Sequence, residues 1–272
     1  MKKKLDKLFA YNVDIFLVYF FININVIINL FLIDKLLYFK DTIILVITNT
    51  VILATIYLFN KLTDYKEDKI NLGFNFQSKK RILLTMVASG VALSFLVYSF
   101  LLEDYFWYWL MFVVLGFWYS YPPRWRLKEM FLIKNIIPAF CWTLSLSLLY
   151  KLNIQDYVFF DHIQAFAYVF LLFMLFEVLW DIPDREGDIS AGVKTIPNIF
   201  GWTVVKFVLV TSFFLLAVLS MSQSIFTTLI SLVISIFIIN MRPNSVKQDY
   251  HILVLVLAFA YAFEPFLDLL FK

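Results

Sequence analysis

Two groups of acidic residues follow the ends of two apolar stretches that lie far apart in the chain. Their members are Asn60, Asp64 and Asp68 in the first group, and Asp181, Asp184 and Asp188 in the second. On a helix, positions i, i+4 and i+8 share a face, as do i, i+3 and i+7, so each group predicts one acidic face. Mg²⁺ prefers carboxylate, water and phosphate oxygens. Two such faces together would suit a magnesium diphosphate, and Asn60 would add a neutral oxygen.

The same acids have a simpler interpretation. Asp and Glu at helix ends can merely mark the boundary between membrane and water. One group alone favours that interpretation, whereas two groups at matching helix ends favour a shared metal-diphosphate site.

A third segment with chemical potential runs from Trp118 to Lys128. Pro122 and Pro123 should end a helix here, because neither offers an amide hydrogen and each restricts the residue before it. Three basic side chains follow, namely Arg124, Arg126 and Lys128. They could reach toward a diphosphate that the acids hold through metal. Taken alone, the segment is also typical of a cytoplasmic loop with an interfacial tyrosine.

The composition indicates which elements carry these residues. Hydrophobic residues make up 62% of the 272 and charged residues 16%, and the mean hydropathy is +0.83, which indicates a polytopic membrane protein. We predict an all-α fold of nine transmembrane helices in one domain, residues 1–272. The nine apolar stretches are 10–33, 42–60, 82–102, 105–121, 131–150, 161–181, 202–220, 223–240 and 250–270.

The basic residues predict how this bundle is oriented. Only four of the 23 Lys and Arg residues would then face away from the cytoplasm, namely Lys35, Lys40, Lys151 and Lys272, as the positive-inside rule requires. Both acidic groups would lie on the cytoplasmic face, and we expect a bacterial cytoplasmic membrane. The net charge of +3 follows from loops that face anionic lipid and does not indicate nucleic-acid binding.

The matching positions of the acids suggest an internal repeat. Aligning Asp64 with Asp184 also aligns Asp68 with Asp188. Spans one to four and five to eight would then be two four-helix repeats of the same orientation, followed by a ninth helix. Identity beyond the acids is negligible.

Polar residues inside the apolar stretches are further candidates, because they are costly in hydrocarbon. Asn25 and Asn29 share a helix face with each other and could contact an acceptor, although hydrogen bonding between helices is the more economical interpretation. Glu177, four residues before Asp181, either extends the acidic face or reaches the surface. Cys141 has no partner for an intrachain disulfide.

These motifs together resemble the UbiA-type intramembrane prenyltransferases. Asn60, Asp64 and Asp68 match most of that family's Asn-Asp-x-x-Asp-x-x-x-Asp motif, and Asp184 with Asp188 matches its second aspartate motif. The segments similar to family patterns are Tyr119-Ser-x-Pro-Pro, Arg126-Leu-Lys128, and the stretch from Gly187 through Lys194 to Gly201. Two departures stand out: Lys61 replaces a motif aspartate, and Trp180 stands where many members carry a lysine. An early arginine common in the family's first helix is also absent.

The resemblance implies electrophilic prenyl transfer from an isoprenyl diphosphate to a lipophilic or aromatic acceptor. Mg²⁺ would be the cofactor, and a cavity of apolar and aromatic side chains would exclude water. The implied metal residues are Asn60, Asp64, Asp68, Asp181, Asp184 and Asp188, of which Asp64, Asp68, Asp184 and Asp188 are catalytic. The implied substrate-binding residues are Asn60, Tyr119, Arg124, Arg126, Lys128 and Lys194.

Three other functions remain open at this point. A secondary transporter would also show repeats and polar intramembrane residues, but its site should lie near the bilayer midplane. A noncatalytic relative that binds prenyl lipid would lack metal-dependent turnover. A lipid-diphosphate phosphatase would release a free prenyl alcohol.

Overall fold

The computed structural model consists of helices throughout the residues it describes. These residues are 2–32, 36–65, 69–70, 79–121, 126–154, 157–158, 163–221, 225–241, 253, 256, 258–260 and 262. The helices are α1 (Lys2–Leu32), α2 (Phe39–Thr63), α3 (Lys80–Phe100), α4 (Phe106–Ser120), α5 (Ile133–Asn153), α6 (Ile163–Asp181), α7 (Arg185–Ala191), α8 (Ile196–Ser220) and α9 (Ile225–Asn240). Short 3-10 turns occupy Glu103–Tyr105 and Leu127–Glu129.

Eight of these helices coincide with the first eight apolar stretches of the sequence. The ninth stretch, 250–270, lies largely outside the described residues, so the count of nine transmembrane helices stays a prediction, as does the repeat. Four helices are long and apolar enough to cross a bilayer, and α6 with α7 would make a fifth if that bent pair is one span. The four are Phe39–Thr63, Lys80–Phe100, Ile133–Asn153 and Ile196–Val218.

The helix surfaces fit this membrane assignment. Large apolar side chains are widely exposed, including Phe100 at 76%, Trp107 at 75% and Phe207 at 70%. Exposure on this scale is unfavourable in water but favourable against lipid. Other aromatic side chains, such as Phe173 and Phe176 of α6, are fully enclosed between helices. The chain is therefore an integral membrane protein of helices.

A buried chain of hydrogen bonds joins four helices. The Tyr98 hydroxyl of α3 donates to Asn49 Oδ1 of α2 at 2.7 Å, and Asn49 Nδ2 donates to Ser145 Oγ of α5 at 2.9 Å. Ser145 Oγ also lies 2.6 Å from the Tyr19 hydroxyl of α1. Each such bond between membrane helices contributes about 0.6 kcal/mol. Together they fix the lateral positions of the helices around one internal space.

The asparagines of α1 behave differently from these residues. Asn23 Nδ2 donates to the Tyr19 carbonyl at 2.7 Å, and Asn29 Nδ2 donates to Asn25 Oδ1 at 3.0 Å. The hydrogen bonds described for Asn23 and Asn29 thus stay within α1 instead of joining two helices.

Sharp changes of direction follow the end of α6. The axes of α6 and α7 differ by 82°, and Pro183 lies in the turn between them. Gly192 ends α7 in the left-handed conformation with φ of +73°, and the Val193 N–H then bonds to the Asp188 carbonyl at 2.9 Å. Gly201, with φ of +72°, bends α8. The break after α6 turns Asp188 back toward the end of α6.

Candidate functional site

The first acidic group lies where α2 ends. The Asp64 N–H still donates to the Asn60 carbonyl at 2.8 Å, so Asn60 and Asp64 lie one helical turn apart on the same side. Asn60 Oδ1 accepts a short hydrogen bond from Ser120 Oγ at the end of α4. Thr63 Oγ1 donates to Asp64 Oδ1 at 3.0 Å. The bond to Ser120 thereby joins Asn60 to the end of α4.

Two basic residues after α4 contact Asp64. Lys128 Nζ lies 2.6 Å from Asp64 Oδ1, and Arg126 Nη1 lies 3.4 Å from the same oxygen. Arg126 is also bound to Glu129, whose Oε1 accepts from Arg126 Nε at 2.7 Å. Lys128 is only 3% exposed, so its ammonium is held in place and is shielded from water.

The second acidic group is joined by one ammonium. Lys134 Nζ of α5 lies 2.7 Å from Asp181 Oδ1 and 2.7 Å from Asp188 Oδ2. Asn135 Nδ2 donates to Asp181 Oδ2 at 2.8 Å. Asp181 and Asp188 are nearly buried, at 4% and 5% exposed. Because α7 turns back by 82°, two acids on different helices reach the same lysine.

Burial opposes ionisation of Asp188. It raises the pKa of the Asp188 carboxyl to about 7, and Lys134 acts in the opposite direction by favouring the charged form. Asp188 lies on the seven-residue helix α7, which is too short to cross a bilayer alone. The negative charge of Asp188 is therefore stabilised by the adjacent Lys134 ammonium.

Sequence reasoning missed Lys134 and Asn135 as site residues. Both fall within the apolar stretch 131–150, near its start. The sequence did contain one indication. An ionisable residue within an apolar stretch has a high free-energy cost unless it is paired, so Lys134 could have been expected to have an acidic partner. The partners could not be deduced, since helix periodicity gives a face but not the neighbouring helix.

One short segment contacts both acidic groups. Residues 126–135 include the two basic residues that contact Asp64. The same ten-residue segment includes the lysine that contacts Asp181 and Asp188 and the asparagine that contacts Asp181. Asp64 of the first group and Asp181 and Asp188 of the second therefore contact the same segment of the chain. This segment places three positively charged side chains in contact with these acids.

The remaining predicted site residues have varied surroundings. Asp184 is half-buried and immediately precedes α7, and Lys194 is exposed between α7 and α8. Asp68 and Arg124 lie outside the described residues. Among the described residues, no three Asp, Glu, His or Cys side chains form a group able to hold a metal by themselves.

The structure also describes the surroundings of Lys61 and Trp180, the two residues that depart from the family pattern. Lys61 is 8% exposed at the end of α2. The Trp180 indole N–H is buried without a hydrogen-bond partner among the described groups, so it supplies no positive charge to the second acidic group. Lys134 reaches that group from α5 instead.

An internal cavity begins within one helical turn of Asp64 and of Asp181. It is lined by α1, α2, α4, α5 and α6, and its volume is about 130 Å³. Its wall is mainly apolar and aromatic, for example Ile56, Phe112 and Trp142. Asn60 and Glu177 line it as well, each one helical turn before an acid, Asp64 and Asp181 respectively. A group bound between the acids would thus extend into this space.

The cavity continues deep into the bundle. Asn49 and Asn60 both line it from α2, and residues so spaced are about 16 Å apart along a helix axis. The far end is formed by the bonded side chains of Tyr19, Asn49 and Ser145. The space suits an elongated apolar group with a charged head at the acidic end.

Comparison with known proteins agrees with this architecture. The model of the UbiA prenyltransferase family matches residues 32–263. A search of curated proteins finds no match.

Solved structures of a UbiA homolog from Archaeoglobus fulgidus share the fold. The form bound to DMAPP and Mg²⁺ has a TM-score of 0.64 and 19% identity, over 96% of this chain and 98% of that one. The form bound to GPP and Mg²⁺ has a TM-score of 0.63 and 18% identity, over 94% and 98%. At this identity the likeness concerns the arrangement of helices.

Proposed function

Because the chain belongs to the UbiA prenyltransferase family, we propose that it transfers a prenyl group from an isoprenyl diphosphate to a lipophilic or aromatic acceptor. The observation that carries the proposal is the convergence of both acidic groups on residues 126–135, next to an elongated apolar cavity. Acids, cations and cavity are the three parts that a metal-bound diphosphate with a prenyl tail requires.

The acidic residues fit Mg²⁺ as a cofactor. Their donors are all oxygens, the kind that Mg²⁺ prefers, and Mg²⁺ commonly binds through one or two carboxylates with phosphate and water completing its shell. The absence of a three-acid cluster among the described residues agrees with that mode. Bound Mg²⁺ would stabilise negative charge on the departing diphosphate. The residues proposed to hold it are Asn60, Asp64, Asp68, Asp181, Asp184 and Asp188.

The basic residues are proposed to bind the diphosphate. The ammonium groups of Lys128 and Lys134 each lie 2.7 Å or less from a carboxylate oxygen. When Mg²⁺ binds that carboxylate, each ammonium would bind a phosphate oxygen instead. Lys134 would supply the charge that Trp180 cannot. The other proposed contacts are Asn60, Tyr119, Arg124, Arg126 and Lys194.

The cavity would protect the reacting carbon. When the bond to diphosphate breaks, the allylic carbon becomes electron-deficient, and nearby water would capture it. Aromatic faces such as those of Tyr57, Phe112 and Trp142, which line the cavity, stabilise positive charge without acting as nucleophiles. The largely apolar wall would thus exclude water from the reacting carbon until the acceptor attacks it.

We further propose that residues 1–272 form one membrane domain whose acidic end faces the cytoplasm of a bacterium. The distribution of Lys and Arg supports this orientation. A transporter site near the midplane fits less well, because the ion pairs described here lie at helix ends.

The test is a transfer assay on membranes that contain the full chain. They would be incubated with Mg²⁺, labelled dimethylallyl, geranyl, farnesyl or geranylgeranyl diphosphate, and a mixed panel of phenols, quinone precursors and lipid alcohols. Asp64→Asn and Asp188→Asn should lower adduct formation by about 10²-fold, as loss of a charge-stabilising group does. Asp104→Asn, at an exposed carboxyl between α3 and α4, should leave it unchanged.

Other outcomes would identify the rival functions. Labelled prenyl alcohol as the sole product, lost in the same variants, would indicate a phosphatase. Mg²⁺-dependent binding of the diphosphate without turnover across the panel would indicate a noncatalytic relative. Full transfer in the presence of chelator would contradict the role of Mg²⁺.

A further inference from the structure

Glu177 is a buried carboxyl group that the diphosphate site does not use. It lies on α6, is 9% exposed, and lines the cavity. Its Oε1 atom has no hydrogen-bond partner among the described residues. A carboxyl oxygen without a partner in an apolar site is costly. Such a cost is retained where the group binds a ligand or a proton.

The position of Glu177 relative to the acids identifies what it would meet. Asp181 is one helical turn farther along α6, and four residues of helix rise correspond to about 6 Å. Lys134 and Asn135 occupy both oxygens of Asp181, whereas the ion pairs and hydrogen bonds described here do not include Glu177. Glu177 therefore lies one level deeper than the diphosphate, at the level where the first carbon of a prenyl group would be.

The other groups around Glu177 do not satisfy it. The titratable groups that face it are Tyr57 of α2, Tyr119 of α4, Lys134 and Cys141 of α5, and Asp181 of its own helix. Of these, the Tyr119 hydroxyl donates to the Lys134 carbonyl at 3.3 Å, and the Lys134 ammonium is bound to Asp181 and Asp188. The Oε1 atom thus has no donor among the described residues, and the side chain that carries it lines the cavity into which an acceptor would enter.

We infer that Glu177 binds the hydroxyl group of the acceptor substrate and accepts its proton. The inference rests on the proposed prenyl transfer and narrows the acceptor to an alcohol or a phenol that reacts through oxygen. The acceptor oxygen forms a bond to the first prenyl carbon as the bond from that carbon to diphosphate breaks. The electron pair of the broken bond leaves with diphosphate, and the hydroxyl proton passes to Glu177. The product is a prenyl ether.

The first experiment distinguishes transfer of the prenyl group to the acceptor from binding and consumption of the prenyl diphosphate. Wild type, Glu177→Gln and Glu103→Gln would be assayed for Mg²⁺-dependent donor binding, donor consumption and ether formation. Glu177→Gln keeps the size of the side chain but cannot accept the proton. Ether formation should fall by about 10²-fold or more, as for loss of a general base. Donor binding should not change, and water should capture a larger share of the donor as prenyl alcohol.

Glu103→Gln is the matched control, since Glu103 is exposed in the turn between α3 and α4. It should behave as wild type in all three measurements. A purely structural role for Glu177 would lower donor binding and ether formation together, without a shift from ether to alcohol. Loss of donor binding in Glu177→Gln would place the residue in the metal site and overturn the inference, as would unchanged ether formation.

The second experiment uses binding alone, so it stands even if the chain transfers no prenyl group. Purified protein with Mg²⁺ and geranyl thiodiphosphate would be titrated with para-octylphenol against para-octylanisole, and with decanol against decyl methyl ether. Fluorescence of Trp142, which lines the cavity, would report binding. Wild type should bind the hydroxyl member of at least one pair about tenfold more tightly, because the ether lacks the O–H and so loses roughly one hydrogen bond to Glu177.

The two pairs distinguish phenols from alcohols as the acceptor. Glu177→Gln should lose most of the preference for the hydroxyl compound, and Glu103→Gln should keep it. Wild-type protein that binds both members of each pair equally overturns the inference without any variant. Absence of transfer together with a clear hydroxyl preference would instead contradict the proposed function and retain Glu177 as a binding residue.

Discussion

The Tyr119 hydroxyl donates a hydrogen bond to the backbone carbonyl of Lys134 at 3.3 Å. That carbonyl is available because Pro138, four residues later inside α5, has no N–H to donate to it. A proline therefore frees a carbonyl, and a tyrosine of the Tyr-Ser-x-Pro-Pro motif satisfies it. The pairing fixes the start of α5, where Lys134 and Asn135 contact the second acidic group.

Tyr119→Phe should lower the free energy of unfolding by about 1 kcal/mol, because the Lys134 carbonyl then loses its hydrogen-bond partner. In a Pro138→Ala background, the backbone regains an N–H that can satisfy that carbonyl, so the same tyrosine change should cost less. A double-mutant cycle of unfolding in detergent measures the difference. Equal costs in both backgrounds would show that Tyr119 and Pro138 are not coupled.

Lys134→Met should destabilise the protein by about 3 kcal/mol or more, because Asp181 and Asp188 then share a buried site without a cation. Added Mg²⁺ should recover part of this loss, since a metal can replace the missing charge. We expect the rise in Tm on adding Mg²⁺ to be larger for the variant than for wild type. Lys194→Met, at an exposed position, controls for loss of one positive charge and should not alter Tm.

A rise in Tm that is the same for Lys134→Met and wild type would contradict this account. It would mean that Mg²⁺ binds away from the acids that Lys134 contacts. Lys134→Arg should keep most of the stability because it keeps the positive charge. A planar guanidinium cannot reproduce the geometry in which one ammonium nitrogen contacts both carboxylates.

Lys128→Met should weaken binding of the prenyl diphosphate more than it weakens catalysis at saturation. Lys128 is 3% exposed and lies 2.6 Å from Asp64, so its charge is not screened by bulk water. A loss of about tenfold or more in donor affinity is the expected result, measured by titration with geranyl thiodiphosphate. An unchanged affinity would assign Lys128 to the stability of the segment alone.

Gly192→Ala should destabilise the fold by about 1 kcal/mol. Its φ of +73° suits glycine, and nothing lies within 4 Å of the position of an added Cβ atom, so the cost is that of the backbone alone. Asn tolerates this conformation better than Ala, so Gly192→Asn should cost less. Thermal unfolding of the two variants tests the order, and a larger loss for Asn would indicate a steric cause instead.

The sequence by itself determined the class of fold and indicated the acidic residues of the candidate site. A bilayer provides no hydrogen-bond partners for the backbone, so long apolar stretches have to be helices, and eight of them proved to be helices where predicted. The family membership followed from spaced motifs and is confirmed. Acids such as Asp64 and Asp181 were recognisable because charge at the end of an apolar helix is conspicuous.

Only the tertiary structure decided which side chains meet. Lys134 and Asn135 contact the second acidic group because α5 and α6 pack together and α7 turns back, and no local pattern encodes that neighbourhood. The sequence left two alternatives for Glu177, an extended acidic face or the surface. Packing of α6 against α5 instead placed it in the wall of the internal cavity. Periodicity specifies a helix face, whereas burial of that face against a particular neighbour is a property of the whole bundle.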